Sequence, residues 1–361
     1  MKITLLQDIL RSGGTERQSV LLAHAFAASG HQVQVITFRP GGTLSATLAP
    51  VPRRCLQPFD TGFNWLAPRL VATLRASAPD VVLCMGRMAN CHAGRVKGAL
   101  PDTVVIGTMR TGKKLPWSFR RSLRQVDHVV ANSAESAGIL VRDYRLTEKR
   151  VSVIHNALVF PPQGAIAVRD ESLRRQHGAG PQTLVLLCVG MLRPEKNQRA
   201  LIEIAAMLDT GINWQLWLAG EGDARAGCKE TAKKMGVQDR VKFLGFQSDP
   251  TPLYHAADIA VLASKAESLS NFLIEAQAHG LPAVAYAAGG VAECIQNNVT
   301  GAVITADDAT GFREALTHFA HSTERRTEAG RKAKAFARAA FDPARQAQAY
   351  LDLFTRLRSA R

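Results

Sequence analysis

Two carboxylates eight residues apart, Glu267 and Glu275, bracket the mostly apolar stretch ESLSNFLIEA, and His-Gly-Leu-Pro follows at once. Ionised carboxylates are rarely buried without a partner. Either the pair decorates a surface helix or something polar docks there. Two cations three residues apart, Arg193 and Lys196 in VGMLRPEKNQ, follow a strand that ends at Gly190. That placement at a strand's carboxyl end suits a pyrophosphate, with an ordinary solvated loop as the alternative. Near the N-terminus, RSGGTERQ sets Gly13 and Gly14 between a strand and a helix that begins near Thr15. Adjacent glycines let the backbone approach a ligand closely, and a helix N-terminus favours anionic oxygens. A simple tight turn has the same look.

The elements that must position these residues alternate in the manner of parallel α/β architecture. ITLLQ, QVQVITF, VVLCM, TVVIGTM, HVVAN and VSVIHN read as strands in the first half, with helices over 16–29 and 133–143. TLVLLCVG, WQLWLAG, VKFLG, IAVLAS and AVAYA repeat the pattern in the second half, with helices over 198–208 and 224–235. Ser270 is a plausible N-cap for the helix that carries Glu275, and Gly280 with Pro282 closes it. Glu267 then precedes exposed helix-terminal N–H groups, and Glu275 lies a turn inside. A nucleotide sugar suits that geometry: phosphate at the helix start, sugar hydroxyls on Glu267, ribose hydroxyls on Glu275.

A chain of 361 residues exceeds one compact core and suits two domains. The expected division is 1–160, a Pro- and Gly-rich linker over 161–180, a second domain over 181–340, and a terminal helix over 341–361 that can cross back onto the first. Asp342 is its expected N-cap and Pro343 its first turn. No apolar run reaches membrane-spanning length, the start lacks the features of a signal peptide, and the six cysteines show no C-x-x-C pairing. A cytoplasmic protein without a metal is the expectation.

Residues 1–160 hold 21 Lys and Arg against 9 Asp and Glu, whereas 161–361 hold 24 against 21. A basic first half points to an anionic partner, unless the arginine content reflects composition alone. With 6% aromatic residues and no recognised module, nucleic acid is not expected. Two phosphate-loop look-alikes fail on detail. GTMRTGKK has Lys114 where Ser or Thr must hold magnesium, and GEGDARAG has the wrong glycine spacing for a dinucleotide fingerprint.

The ordered set GGTER, VGMLRPEKN, LAGEGD, VKFLGF, the Glu-x7-Glu pair, EAQAHGLPAVA and AGGVAECIQNNVTG covers nearly the whole chain. It resembles the retaining glycosyltransferases of family 4, whose GT-B fold has two facing Rossmann-like domains. The resemblance implies that Arg193 and Lys196 bind the donor diphosphate, near Gly190. It implies that Glu267 holds the transferred sugar and Glu275 the ribose. Backbone groups of Leu269, Ser270, Asn271 and Phe272 are then expected on sugar and phosphates, Phe246 near the base, Gly13 and Gly14 near the phosphate, and Glu16 near the acceptor. It implies a nucleotide-sugar donor, a UDP-sugar by preference, and a glycan or lipid-linked acceptor.

The chain departs from the family pattern in two places. E-G-F-G has become Glu267-Ser-Leu-Ser270-Asn, and P-N-G has become His155-Asn156-Ala157. His92 and Arg110 are the candidates for a polar catalytic position in the first domain, with His92 also readable as a helix residue without a role. No residue is obviously placed as a covalent nucleophile, and no D-x-D triplet occurs. A metal-independent front-face substitution fits the resemblance. RTGKKLPWSFRRSLRQ, residues 110–125, has six cations, no acid, and Trp117, Phe119 and Leu123. It reads either as a segment meeting anionic lipid at the inner face of the plasma membrane or as a solvated helix by the acceptor. A non-catalytic nucleotide-sugar or polyanion binder on the same scaffold is the other class that the residues allow.

Overall fold

The computed structural model describes residues 1–160 and 169–361. The chain divides into two units, Met1–Ala157 with Asp342–Arg361, and Leu158–Phe341.

The first unit runs β1 (Lys2–Gln7), α1 (Gly14–Ala28), β2 (Gln32–Thr37), β3 (Arg53–Cys55), α2 (Leu70–Ser77), β4 (Val81–Cys84), α3 (Arg87–Ala99), β5 (Val104–Met109), α4 (Trp117–Leu123), β6 (His128–Ala131), α5 (Ala134–Arg142) and β7 (Val151–Val153). The second runs α6 (Glu171–Gln176), β8 (Leu184–Val189), α7 (Gln198–Ala206), β9 (Trp214–Ala219), α8 (Arg225–Lys234), β10 (Val241–Gly245), α9 (Thr251–Ala256), β11 (Ile259–Leu262), α10 (Asn271–Ala278), β12 (Ala283–Tyr286), β13 (Gly301–Ile304), α11 (Ala309–Ala320) and α12 (Thr323–Ala340). The last helix, α13 (Pro343–Ser359), belongs to the first unit.

Both sheets are parallel, in the orders β3-β2-β1-β4-β5-β6-β7 and β10-β9-β8-β11-β12-β13. Their central strands are apolar at nearly every position because helices cover both faces. In β1 and β4, Ile3, Leu5, Val81 and Leu83 join one core, while Leu6, Val82 and Cys84 join the core on the other face. Each sheet reverses its winding once, between β1 and β4 and between β8 and β11. The crevice at such a reversal, outside the carboxyl ends of the strands, is where open α/β sheets bind ligands.

Every strand expected from the sequence is present, which gives the doubly wound α/β class of the GT-B fold. Two further strands carry too little signal to be expected. β3 holds Arg53 and Arg54, and β13 is four residues following a polar turn; both are sheet edges, where burial leaves little apolar signature. The linker expected over 161–180 is corrected in part. Its residues 161–168 lie outside the described residues, but Glu171–Gln176 form α6, capped by the Asp170 side chain. The polar sequence hides a packing residue. Arg174 is fully buried and donates to the Ala256 carbonyl at 2.7 Å, the Gly180 carbonyl at 3.1 Å and Asp258 at 3.1 Å. A guanidinium so surrounded satisfies most of its donors without water.

Helix α13 starts as its sequence indicates, with Asp342 Oδ1 accepting the Arg345 N–H at 2.9 Å and Pro343 in the first turn. Tyr350 and Phe354 pack edge-on to Phe26 of α1, with ring centroids 6.2 and 5.5 Å away. Gln346 donates to the His155 carbonyl at 2.7 Å and to Gln18 at 2.8 Å. Phe354→Ala is expected to cost about 3–5 kcal/mol, the range for a large aromatic removed from a core. Urea denaturation with hydrogen exchange should place that loss on the amides of α1 and β1.

Candidate active site

The loops after β8 and β11 meet at the second sheet's reversal, and they carry the two charged groups of most interest. After β8, Gly190 donates its N–H to the Ala219 carbonyl at 2.9 Å, and Leu192 donates to the Glu221 carbonyl at 3.0 Å. The neighbouring loop must come very close. Gly220, at φ +143°, would place a Cβ 2.0 Å from the Gly190 oxygen, so only glycine fits there. Arg193 then begins a single 3-10 turn, Pro194–Lys196. The Lys265 N–H donates to the Glu195 carbonyl at 2.9 Å and stitches the β8 loop to the β11 loop.

Across that stitch, Lys196 Nζ pairs with Glu267 Oε1 at 2.5 Å; the side chains are 29% and 10% exposed. The Glu267 backbone is closely approached by Gly289, whose φ is +55° and whose added Cβ would fall 1.8 Å from the Glu267 carbonyl oxygen. The AGGVAE stretch thus packs directly on the main chain of the residue that carries the carboxylate.

Ser270 caps α10, its Oγ accepting the Leu273 N–H at 3.4 Å. Ser268, Leu269, Ser270 and Phe272 are buried, so this segment offers a ligand its backbone rather than these side chains. The first-turn N–H groups and the helix dipole make it an anion-favouring end, four residues past Glu267. Glu275 is the fifth residue of α10, and its Oε2 accepts the Tyr254 hydroxyl at 2.7 Å. Phe246 follows β10 and is 66% exposed, available to a planar ligand. In the second unit Gly190, Arg193 and Lys196 thus follow β8, Phe246 follows β10, and Glu267 with Leu269 to Phe272 lies between β11 and the first turn of α10, all past the carboxyl ends of parallel strands, while Glu275 stands in the second turn of α10.

Gly13, Gly14 and Glu16 lie in the first unit, after β1. Gly13 is the extended N-cap of α1, and Gly14 is its first residue. Glu16 folds back on Gly13, where an added Cβ would meet its Oε2 at 2.4 Å. Burial raises the Glu16 pKa, and Asp8 adds to the shift while Arg11 opposes it. Asp8, which belongs to none of the sequence motifs, stands at the reversal of the first sheet. Its carboxylate accepts the N–H groups of Met88 and Ala89 at 3.0 and 2.8 Å, at the start of α3. Burial raises its pKa as well, against those hydrogen bonds and the nearby His92. Its one signal in the sequence is an acid directly after a strand.

His92 bonds through Nε2 to the Trp65 carbonyl at 2.9 Å and meets the Phe38 ring edge-on. Arg110 donates to the Tyr350 hydroxyl at 2.8 Å and to Asn156 Oδ1, so its guanidinium ties β5 and the loop after β7 to α13. The apolar residues of 110–125 are largely committed. Phe119 and Leu123 are buried, and α4 leaves Trp117 as its exposed aromatic, at 65%. Arg121 lies over that indole at 5.3 Å. Separately, Phe59, Phe63 and Trp65 are exposed on a loop pinned by Asp60 to Arg39 at 2.7 Å and by Gln57 to the Phe63 carbonyl at 2.9 Å.

Two doubly wound Rossmann-like units, each with one reversal of winding, are the layout of the GT-B fold. Residues 12–158 match the model described as Glycosyltransferase Family 4, and residues 169–336 match that described as Glycosyl transferases group 1. The chain belongs to the family 4 (group 1) glycosyltransferases. It is 28% identical over 322 residues, 88% of each chain, to the lipopolysaccharide core biosynthesis glycosyltransferase LpsE of Rhizobium meliloti. It is 26% identical, again over 88% of each chain, to a Campylobacter jejuni enzyme that adds N-acetyl-D-galactosamine to a diphospho-undecaprenol-linked glycan. The fold is shared with HepE of Anabaena, solved in complex with UDP, at a TM-score of 0.83 and 21% identity over 98% of this chain and 100% of that one. HepE has also been solved with UDP-glucose.

The raised Glu16 pKa gives a pH prediction. A carboxyl that ionises less readily in the folded state costs stability once it is ionised, so the penalty enters as pH rises through the ordinary glutamate value, about 4.3, and is complete above the folded value. Glu16→Gln should therefore stabilise the first unit at pH 7. The gain should vanish below about pH 4, as followed by thermal unfolding across pH.

Proposed function

We propose that this glycosyltransferase moves a hexose-type sugar from a UDP-sugar to a glycan or lipid-linked acceptor in cell-surface polysaccharide or lipopolysaccharide synthesis, with retention and without a metal. The observation that carries the reading is the Lys196–Glu267 pair at 2.5 Å beside the capped start of α10. One side of the pair is complementary to a diphosphate and the other to sugar hydroxyls. UDP-glucose in HepE, and the names of LpsE and the Campylobacter enzyme, support the donor and acceptor classes.

In this reading Arg193, Lys196 and the N–H groups of Leu269 to Phe272 hold the diphosphate, Glu267 the sugar hydroxyls, Glu275 the ribose, and Phe246 the base. In the first unit, the Gly13–Gly14 backbone is assigned to phosphate and Glu16 to acceptor hydroxyls. The bond from the anomeric carbon to the diphosphate oxygen breaks, and the acceptor oxygen bonds that carbon on the same face. The acceptor proton passes to the departing phosphate oxygen. Negative charge grows on the diphosphate, which in this reading lies against two cations and a helix N-terminus, so stabilisation needs little reorganisation. Those same positive groups do the work for which other transferases use a divalent ion.

Lys196 changes partner in this cycle. Donor phosphate competes with Glu267 for its ammonium, and Glu267 turns to the hydroxyls of the sugar. Each charge is thus compensated in both states, as a partly buried pair requires.

A peripheral site at the inner face of the plasma membrane is part of the proposal, supported by the excess of cations in residues 1–160 and by the exposed Trp117 and Trp65. Among the described residues no helix is long and apolar enough to span a membrane. Sedimentation with phosphatidylglycerol vesicles should carry the protein down at low salt and release it at high salt, with phosphatidylcholine vesicles capturing little. Equal capture by both would remove the electrostatic account.

Donor turnover, including slow hydrolysis, separates an enzyme from a binding protein on the same scaffold. Glu267→Gln should lower kcat by about a hundredfold or more, the scale of losing a contact that strengthens in the transition state. The product's anomeric proton coupling should match the donor's, and EDTA should leave the rate unchanged. Binding without turnover would favour the non-catalytic class.

A further inference from the structure

Phe272, Glu275 and His279 sit three and four residues apart along α10 and its C-cap, and so share one face of that helix. Tyr254, from α9, lies buried across that face. Its ring stacks on His279 with centroids 5.0 Å apart and planes 26° apart, and more distantly on Phe272 at 6.4 Å and 26°. Its hydroxyl reaches Glu275 Oε2 at 2.7 Å. His255, the next residue of α9, bonds through Nε2 to His279 Nδ1 at 3.1 Å and meets that ring edge-on, so it ties His279 to the same helix as Tyr254. The tyrosine ring is therefore braced, and its hydroxyl cannot swing away from Glu275 without opening its contacts with His279 and Phe272.

We propose that Tyr254 is a positioning residue for ribose recognition, its hydroxyl fixing the rotation of the Glu275 carboxylate before the donor arrives. The inference rests on the reading of Glu275 as the ribose contact. A carboxylate on a helix has free torsions of its own, and its use as a bidentate acceptor for ribose hydroxyls depends on the plane in which it is held. A charge-assisted O–H···O⁻ bond from a buried, stacked ring supplies that plane. Preorganisation of this kind appears in affinity because less freedom is lost on binding. The two stacked neighbours explain why a tyrosine stands here rather than a serine. Its ring bridges from α9 to the middle of α10 and keeps a fixed length.

The test compares UDP, GDP and ADP, each with its 2′-deoxy counterpart, by calorimetric titration of the full-length protein. The variants are Tyr254→Phe, Glu275→Gln and the two combined. Wild type is expected to favour the ribonucleotide of its preferred base about tenfold. Tyr254→Phe, which keeps the ring and both stacks, should reduce that preference to about twofold to threefold. Glu275→Gln should abolish it, and the double variant should lose nothing further, as for two residues acting as one unit. In turnover the donor KM of Tyr254→Phe should rise more than its kcat falls, and its thermal midpoint confirms that the variant is folded. Full ribose preference in Tyr254→Phe, with loss in Glu275→Gln, would overturn the positioning role and leave the ribose reading standing. Full preference in Glu275→Gln, or no binding of any of the three diphosphates, would overturn the ribose reading and this inference with it.

Discussion

A carboxylate that is 10% exposed at the edge of a sheet buried on both faces has to be compensated, and Lys196 compensates Glu267 at 2.5 Å. Much of the second unit is arranged around that requirement. β8 and β11 must be neighbours so that loops 71 residues apart in the chain can meet. Gly220 must lack a side chain so that the loop after β9 can close on the Gly190 backbone, and Gly289 so that the loop after β12 can close on the Glu267 backbone. Ser270 must start α10 where it does so that first-turn N–H groups face the same crevice. An ion pair with one partner removed leaves a charge in a poorly solvated place, which is more costly than the pair is favourable. The site is thus stable when empty and prepared to exchange one compensating partner for another.

The two units use the same topology for different ends. In the second, the reversal crevice gathers opposite charges and a helix N-terminus. In the first, the corresponding place is occupied by Asp8, whose carboxylate is already committed to the start of α3. Arg110, just past the end of β5, is likewise committed to Asn156 and Tyr350, which makes it a bracket for α13 rather than a free cation. Glu16 keeps a half-buried carboxyl by the glycine turn, and its raised pKa follows chiefly from that partial loss of water.

The central strands and the caps of α10 and α13 are readable in the sequence because each has a local signature: a continuous apolar run, a serine or aspartate before a helix, a glycine and proline after it. The charged residues of the second crevice are readable for a related reason, since strand-end loops carry ligand groups in this architecture. What stays hidden is set by the third dimension. That Lys196 and Glu267 compensate one another depends on strand order, which spacing does not reveal. Tyr254 looks like an ordinary apolar position of α9, and Arg174 like a charge in a linker, until the groups around them are known. Phe119 and Leu123 show the opposite failure: a basic amphipathic stretch suggests a membrane face, but α4 turns those two residues into the core.

The central claim is that Arg193, Lys196 and the start of α10 hold the donor's diphosphate. Titration of the preferred nucleoside and its diphosphate into wild type and an Arg193→Met, Lys196→Met double variant tests it most directly. In wild type the diphosphate should bind at least about a hundredfold more tightly than the nucleoside, and in the double variant the gap should close to about tenfold or less, with nucleoside affinity unchanged. A double variant that kept the wild-type gap would show that the phosphates lie elsewhere and would contradict the account.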